Sequence, residues 1–177
     1  RCRAICRLRL IIHTNTQHPL VMGTLTDMST KVRCVSSSIH VSASPAEVFA
    51  MLSDPHQHRL FDGSGMVRSS RSETSSLELG SKFGMNMKLG PIPYRMNNTV
   101  VEFEHDRLIA WAHIGGHRWR YELEADGDGT RVTESFDWST SKAPWFIELM
   151  NYPTRNHKAI VSTLERLQNL LAERARA

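Results

Sequence analysis

From residue 31 onward, apolar and polar positions fall into two distinct periods. KVRCVSSSIHVSA alternates as a strand does, with Val35, Ser37, Ile39 and Val41 on one face. SPAEVFAML follows, where Ser44 stands as an N-cap, Pro45 as the first helical residue and Glu47 as a capping-box partner, which predicts a short helix. Its residues Val48, Phe49 and Leu52 form an apolar stripe. Asp54-Pro55 repeats the start signal, predicting a second short helix or turn through HQHRLF, and Asp62 to Gly65 reads as a loop.

Beyond that loop the period is two. Phe83, Met85 and Met87 share one face of KFGMNMK, and Thr99, Val101 and Phe103 are expected to point inward from YRMNNTVVEFE while Glu102 and Glu104 point out. RLIAWAHI is the next strand, and Gly115-Gly116 turns it into HRWRYELEA, where His117, Trp119, Tyr121 and Leu123 alternate with Arg118, Arg120, Glu122 and Glu124. The DGDG turn feeds TRVTESFDW. Five or six antiparallel strands with a polar outer face need a cover for the inner one. The C-terminal segment supplies it: a helical pattern opens at Pro144 and resumes after Pro153 with His157, Ile160, Val161, Leu164, Leu167 and Leu171 on one stripe. A break is expected at Pro153, which lacks the amide that would bond the carbonyl of Leu149. The chain is thus predicted to be α+β, with a single domain over residues 31–174.

Composition narrows the function classes. The chain has 177 residues, enough for one sizeable core. Its apolar runs are far shorter than the roughly 20 residues that span a bilayer, so no membrane span is expected. The net charge of +4 resides in the leader: residues 1–33 carry six basic side chains against Asp27, leaving −1 for the remainder, and nucleic acid is not an expected partner. Residues 1–30 show no strand or helix period and are expected to be a disordered leader or an over-extended gene start. Three cysteines, with Cys34 alone in the body, give no disulfide framework and point to a reducing, cytoplasmic compartment, and Cys2 with Cys6 lacks the second pair a metal site needs.

At SPAEVFAMLSDPHQHRLFDGSG, NTVVEFEHDRLIAW and GTRVTESFDW the chain resembles bacterial members of the START-related (SRPBCC) superfamily, in its polyketide cyclase/dehydrase-like branch. The resemblance spans residues 32 to 172. It implies the helix-grip (birch-pollen-allergen-like) fold, a curved antiparallel sheet wrapped around a long C-terminal helix with two short helices after the first strand. It also implies a cavity between sheet and helix. Function does not follow from fold, because that family holds cyclases, lipid carriers and receptors.

The residues expected to line such a cavity are Phe83, Met85, Met87, Val101, Phe103, Trp111, Trp119, Tyr121, Glu134 and Phe136 on the sheet, with Asn156, His157 and Ile160 on the helix. An aromatic and methionine-rich wall suits an apolar or ring-containing ligand; core packing is the better account of any one of these residues, and the cavity reading gains only from them collectively. Glu134, between Val132 and Phe136, is inward by alternation, where burial would raise its pKa; Tyr121, His157 and Asn156 are its nearest partners. A β-bulge that turns it outward, or a pair with an arginine, is the structural alternative. Glu134, His157 and Tyr121 are therefore the candidate catalytic groups. His56, His58, His113 and His117 lack metal-ligand spacing and read as solvated surface residues, and no metal or other cofactor is expected. DGDG lacks the later Glu of a calcium loop, and GSG is no nucleophile elbow. Three functions follow: binding or transport of a hydrophobic small molecule, lipid- or polyketide-like; a cyclase/dehydratase-type enzyme; or a protein-interaction module with a vestigial cavity. A homodimer is compatible with each.

Overall fold

The computed structural model describes residues 32–176; the expectations for the leader, Cys2 and Cys6 lie outside them. In chain order the elements are β1 (Cys34–Val41), α1 (Pro45–Ser53), α2 (His58–Phe61), β2 (Val67–Ser70), β3 (Lys82–Leu89), β4 (Ile92–Glu104), β5 (Leu108–His113), β6 (Arg118–Asp126), β7 (Gly129–Asp137), α3 (Pro144–Leu149) and α4 (Tyr152–Arg174). The strands form one seven-stranded antiparallel sheet in the order β1-β7-β6-β5-β4-β3-β2, curved around α4 as in the helix-grip fold.

Local chemistry accounts for the boundaries. Ser44 and Glu47 close a reciprocal capping box, with the Ser44 amide donating to the Glu47 carboxylate at 2.7 Å and the Glu47 amide donating to Ser44 Oγ at 3.3 Å. DGDG is a hairpin turn, its Gly127 at φ 63°. On the outer face Arg118 and Arg120 both pair with Glu102, at 3.2 and 3.1 Å.

Three departures from the expectations have physical causes. A bulge between Val100 and Glu102 shifts the register of β4 against β5, so Asn98 and Val100 face inward ahead of it and Val101 does not; Phe103 returns to the inner side and packs edge-on against Phe49 at 5.3 Å. The helical break falls at Asn151, whose φ is 53°, and Pro153 lies in the first turn of α4, where a missing amide costs nothing. Cys34, expected to be without a disulfide, is disulfide-bonded, which removes the cysteine argument for a reducing compartment. Among the described residues no helix is long and apolar enough to cross a membrane.

The core lies between the sheet and the apolar stripe of α4. Ile160, Leu164, Leu167 and Leu171 are buried there with Val41, Leu52 and Val132. The upper half of the same interface, toward the start of α4, is not filled by side chains.

Candidate functional site

Between the inner face of the sheet and the first half of α4 lies a cavity of about 830 Å³. Antiparallel register arranges its sheet wall in transverse rows. Phe83, Asn98 and His113 lie side by side on β3, β4 and β5, and His117 continues the row through its carbonyl, which accepts from the His113 amide at 3.2 Å. Trp111, Trp119 and Phe136 form the next row, and Tyr121 and Glu134 the one beyond it. Aromatic contacts tie the rows together: Trp111 lies 5.5 Å from Tyr121 and 5.7 Å from Phe83, and Phe136 lies 5.1 Å from Trp119. Met85, Met87, Tyr94 and Met96 extend the wall toward the β3–β4 hairpin. Tyr152, Asn156, Ala159 and Thr163 face it from α4.

The polar groups in this wall are poorly satisfied. Glu134 is 2% exposed, and burial raises its pKa to about 8 although the neighbouring Tyr121 hydroxyl lowers it; Asp62 adds to the rise. At neutral pH the carboxyl is therefore largely neutral and Oε2, which has no protein partner, is able to donate a proton. Tyr121 is held well above its ordinary value by burial and by Glu134. Asn98 Oδ1 and both ring nitrogens of His113 are likewise buried without a protein partner. Burial lowers the His113 pKa to about 3, and His117 stacks on it at 4.6 Å. His58 is also neutral, lowered to about 4 by burial; its Nε2 donates to the Leu52 carbonyl at 2.8 Å and its ring stacks on Trp111 at 5.0 Å. Unpartnered buried polar atoms are costly, and clusters of them mark places where something else supplies the bond.

Phe83, Met85, Met87, Trp111, Trp119, Tyr121, Glu134, Phe136 and Asn156 all line this cavity. Val101, Phe103, His157 and Ile160 do not. The bulge displaces Val101, and Phe103 sits against α1. Ile160 is fully buried in the core beside the cavity. His157 is exposed on the far side of α4, so it is neither a wall residue nor a partner of Glu134. The reading of His58, His113 and His117 as solvated is corrected too: His58 is 6% exposed, and all three line the cavity. His113 follows Trp111 by two residues and His117 precedes Trp119 by two, so the strand period itself placed them inward. Asn98 was hidden by the bulge. Among the described residues no three metal-ligating side chains cluster.

A curved sheet gripping a helix around a partly polar cavity defines a class of small-molecule-binding folds. The chain belongs to the family described as "Polyketide cyclase / dehydrase and lipid transport", whose model matches residues 32–172. An uncharacterised protein of Mycobacterium tuberculosis is 40% identical over 143 residues, covering 78% of this chain and 64% of its own length. The chain thus spans less than two-thirds of that relative's length. Among solved structures, protein NE0264 of Nitrosomonas europaea superposes with a TM-score of 0.64 at 15% identity, covering 81% of this chain and 97% of that one. The Polyketide_cyc-like protein of Corynebacterium glutamicum superposes with 0.57 at 20% identity, covering 82% and 95%. Likenesses at this identity concern the fold.

Proposed function

We propose that the protein binds a hydrophobic, ring-containing small molecule that carries hydroxyl or carbonyl groups, and holds it in the cavity between sheet and helix. The observation that carries this reading is the combination of a cavity of about 830 Å³, walled by Met and aromatic side chains, with unpartnered atoms on Asn98, His113 and Glu134. The apolar wall supplies affinity through burial, and the orphaned atoms select oxygen-bearing ligands. Tyr121 on β6 and His117, which immediately precedes that strand, are four residues apart along the chain, so the two polar levels are separated by about 13 Å. A ligand of several fused or linked rings would reach both. A cavity this open favours a small molecule over a protein-interaction module, whose cavity would be filled by side chains. The absence of excess positive charge after residue 33 supports a small molecule over nucleic acid.

A second reading, a cyclase/dehydratase-type enzyme, is favoured by one feature, the neutral Glu134 carboxyl beside Tyr121. A buried carboxyl with a pKa near 8 can donate a proton to a substrate carbonyl oxygen and take one back afterwards.

Native mass spectrometry of the protein from its own host would reveal a co-purified ligand. Titration with anilinonaphthalene sulfonate, and its displacement by that ligand, would place binding in the cavity. Failure of the dye to bind, or binding unaffected by substitutions in the wall, would overturn the reading. Glu134→Gln separates the two functions: a binding protein changes affinity modestly, whereas an enzyme loses turnover about a hundredfold or more with affinity retained.

A further inference from the structure

Ten large apolar side chains stand exposed among the described residues, and seven of them belong to one end of the molecule. Antiparallel order requires the β3–β4 hairpin, the β5–β6 hairpin and the β7–α3 connection to emerge at the same end of the sheet. Leu89 and Ile92 occupy the first, Ile114 the second, and Trp145, Phe146, Leu149 and Met150 lie on α3 and just after it. Trp145 is 65% exposed and Leu149 is 73% exposed. This is also where the cavity opens, since Leu89, Gly90, Gly115, Lys142 and Phe146 all line it.

Five cations, Arg68, Lys88, Lys142, Arg155 and Lys158, line the same opening and are exposed. None takes part in an ion pair among the described residues. The carboxylates nearby are turned to internal tasks: Glu148 accepts from Arg33 at 2.9 Å and from the Trp138 indole at 3.3 Å, and Asp62 accepts from the amides of Ser64 and Val67. Exposed tryptophan and aliphatic side chains ringed by unpaired lysine and arginine are the chemistry that partitions into the headgroup region of an anionic bilayer.

We propose that this end docks the protein on a membrane surface containing anionic phospholipid, with Trp145 and Leu149 inserted among the headgroups and the cavity opening toward the lipid. The seated arrangement gives an apolar ligand a path between bilayer and cavity that avoids water. The docking face is independent of the ligand's identity, because neither Trp145 nor Leu149 lines the cavity.

The test is co-sedimentation of the full chain with vesicles of phosphatidylcholine alone and of phosphatidylcholine mixed with phosphatidylglycerol, for the wild type and for the double variant Trp145→Ser, Leu149→Ser. The wild type is expected on the mixed vesicles and much less on neutral ones, with binding weakened by added sodium chloride. The double variant should bind at least about tenfold more weakly, with its anilinonaphthalene sulfonate affinity unchanged. Three results would overturn the proposal. One is no sedimentation with either vesicle, and a second is equal sedimentation with both. The third is full binding by the double variant, which would assign the attraction to cations elsewhere, including those of residues 1–33. A wild-type dimer that becomes monomeric in the double variant would assign the face to a second copy, and would overturn it equally. Dye binding is read separately, so a failure of docking leaves the cavity reading intact and the reverse also holds.

Discussion

Tyr121 and Glu134 face each other as register partners across β6 and β7, and burial keeps the Glu134 carboxyl beside the phenol largely neutral at pH 7. The pair couples the binding cavity to pH. The folded-state pKa of Glu134, about 8, lies above its ordinary value of 4.5, so the folded protein binds more protons than the unfolded chain between those limits. Its contribution to stability is fully present below about pH 4.5 and is lost as pH rises toward 8. Glu134→Gln keeps the shape of the side chain beside Tyr121 and removes the titration. Melting temperatures measured from pH 5 to 8.5 should show the variant gaining on the wild type as pH rises. Parallel curves would mean that Glu134 is ionised at neutral pH.

His113 titrates in the opposite sense. Its folded pKa, about 3, lies below the ordinary 6.5, so the unfolded chain binds the extra proton and stability falls as pH drops through that window. Both ring nitrogens are unpartnered. His113→Phe removes the orphaned atoms and keeps a ring against His117, and is expected to stabilise the protein by about 1 kcal/mol at pH 7.5 and by more at pH 5. His58 shares the acid window, so the slope should diminish and not vanish. Destabilisation by His113→Phe in thermal melts would show that the ring is bonded after all.

These two residues mark how far the amino-acid pattern could be read. Strict alternation through HRWRYELEA put His117, Trp119, Tyr121 and Leu123 on the inner face, and β7 placed Glu134 there, because no irregularity interrupts the pairing of β6 with β7. The same period also placed His113, but histidine is polar enough to be read as surface, and only the cross-strand neighbours show that it is walled in. β4 was less legible: nothing in NNTVVEFE announces the bulge at Val101 that brings Asn98 inward. On α4 the stripe from Ile160 to Leu171 was visible, whereas its extension to His157 was not sound. The first turn of that helix faces the cavity through Tyr152, Asn156 and Ala159, and His157 is turned to water. Tertiary register, more than local propensity, decided each of these cases.

Filling the cavity distinguishes space from packing. Met85 on β3 is 4% exposed and lines the cavity beside the β4 residue Met96, its register partner. Met85→Trp adds bulk that a packed core would reject at a cost of about 1–3 kcal/mol. Here the indole has room, and the melting temperature should hold within about 4 °C while anilinonaphthalene sulfonate affinity falls about tenfold or more. Unfolding of the variant would mean that the volume around Met85 is already occupied.

Gly63 carries the opposite prediction, because the loop between α2 and β2 lies directly on α4. The Gly63 amide donates to Thr163 Oγ1 at 2.9 Å, and the Asp62 carbonyl accepts from the Arg166 guanidinium. A Cβ at residue 63 would fall against the amide nitrogen of Thr163, the carbonyl oxygen of Ala159 and, at 2.7 Å, the carbonyl carbon of Ser162. All three are backbone atoms of a helix and cannot rotate away as a side chain would. Gly63→Ala must therefore push the loop off α4, at a cost of about 3 kcal/mol and a fall of roughly 6–12 °C in melting temperature. The displacement also moves Asp62 and Met66, which line the cavity, so dye affinity should fall together with stability. Thr163→Val tests the hydrogen bond without the clash: it leaves the Gly63 amide unpaired and should cost only about 1–2 kcal/mol. If Gly63→Ala melts with the wild type, the loop does not rest on the helix, and the wall formed by residues 62–66 is open.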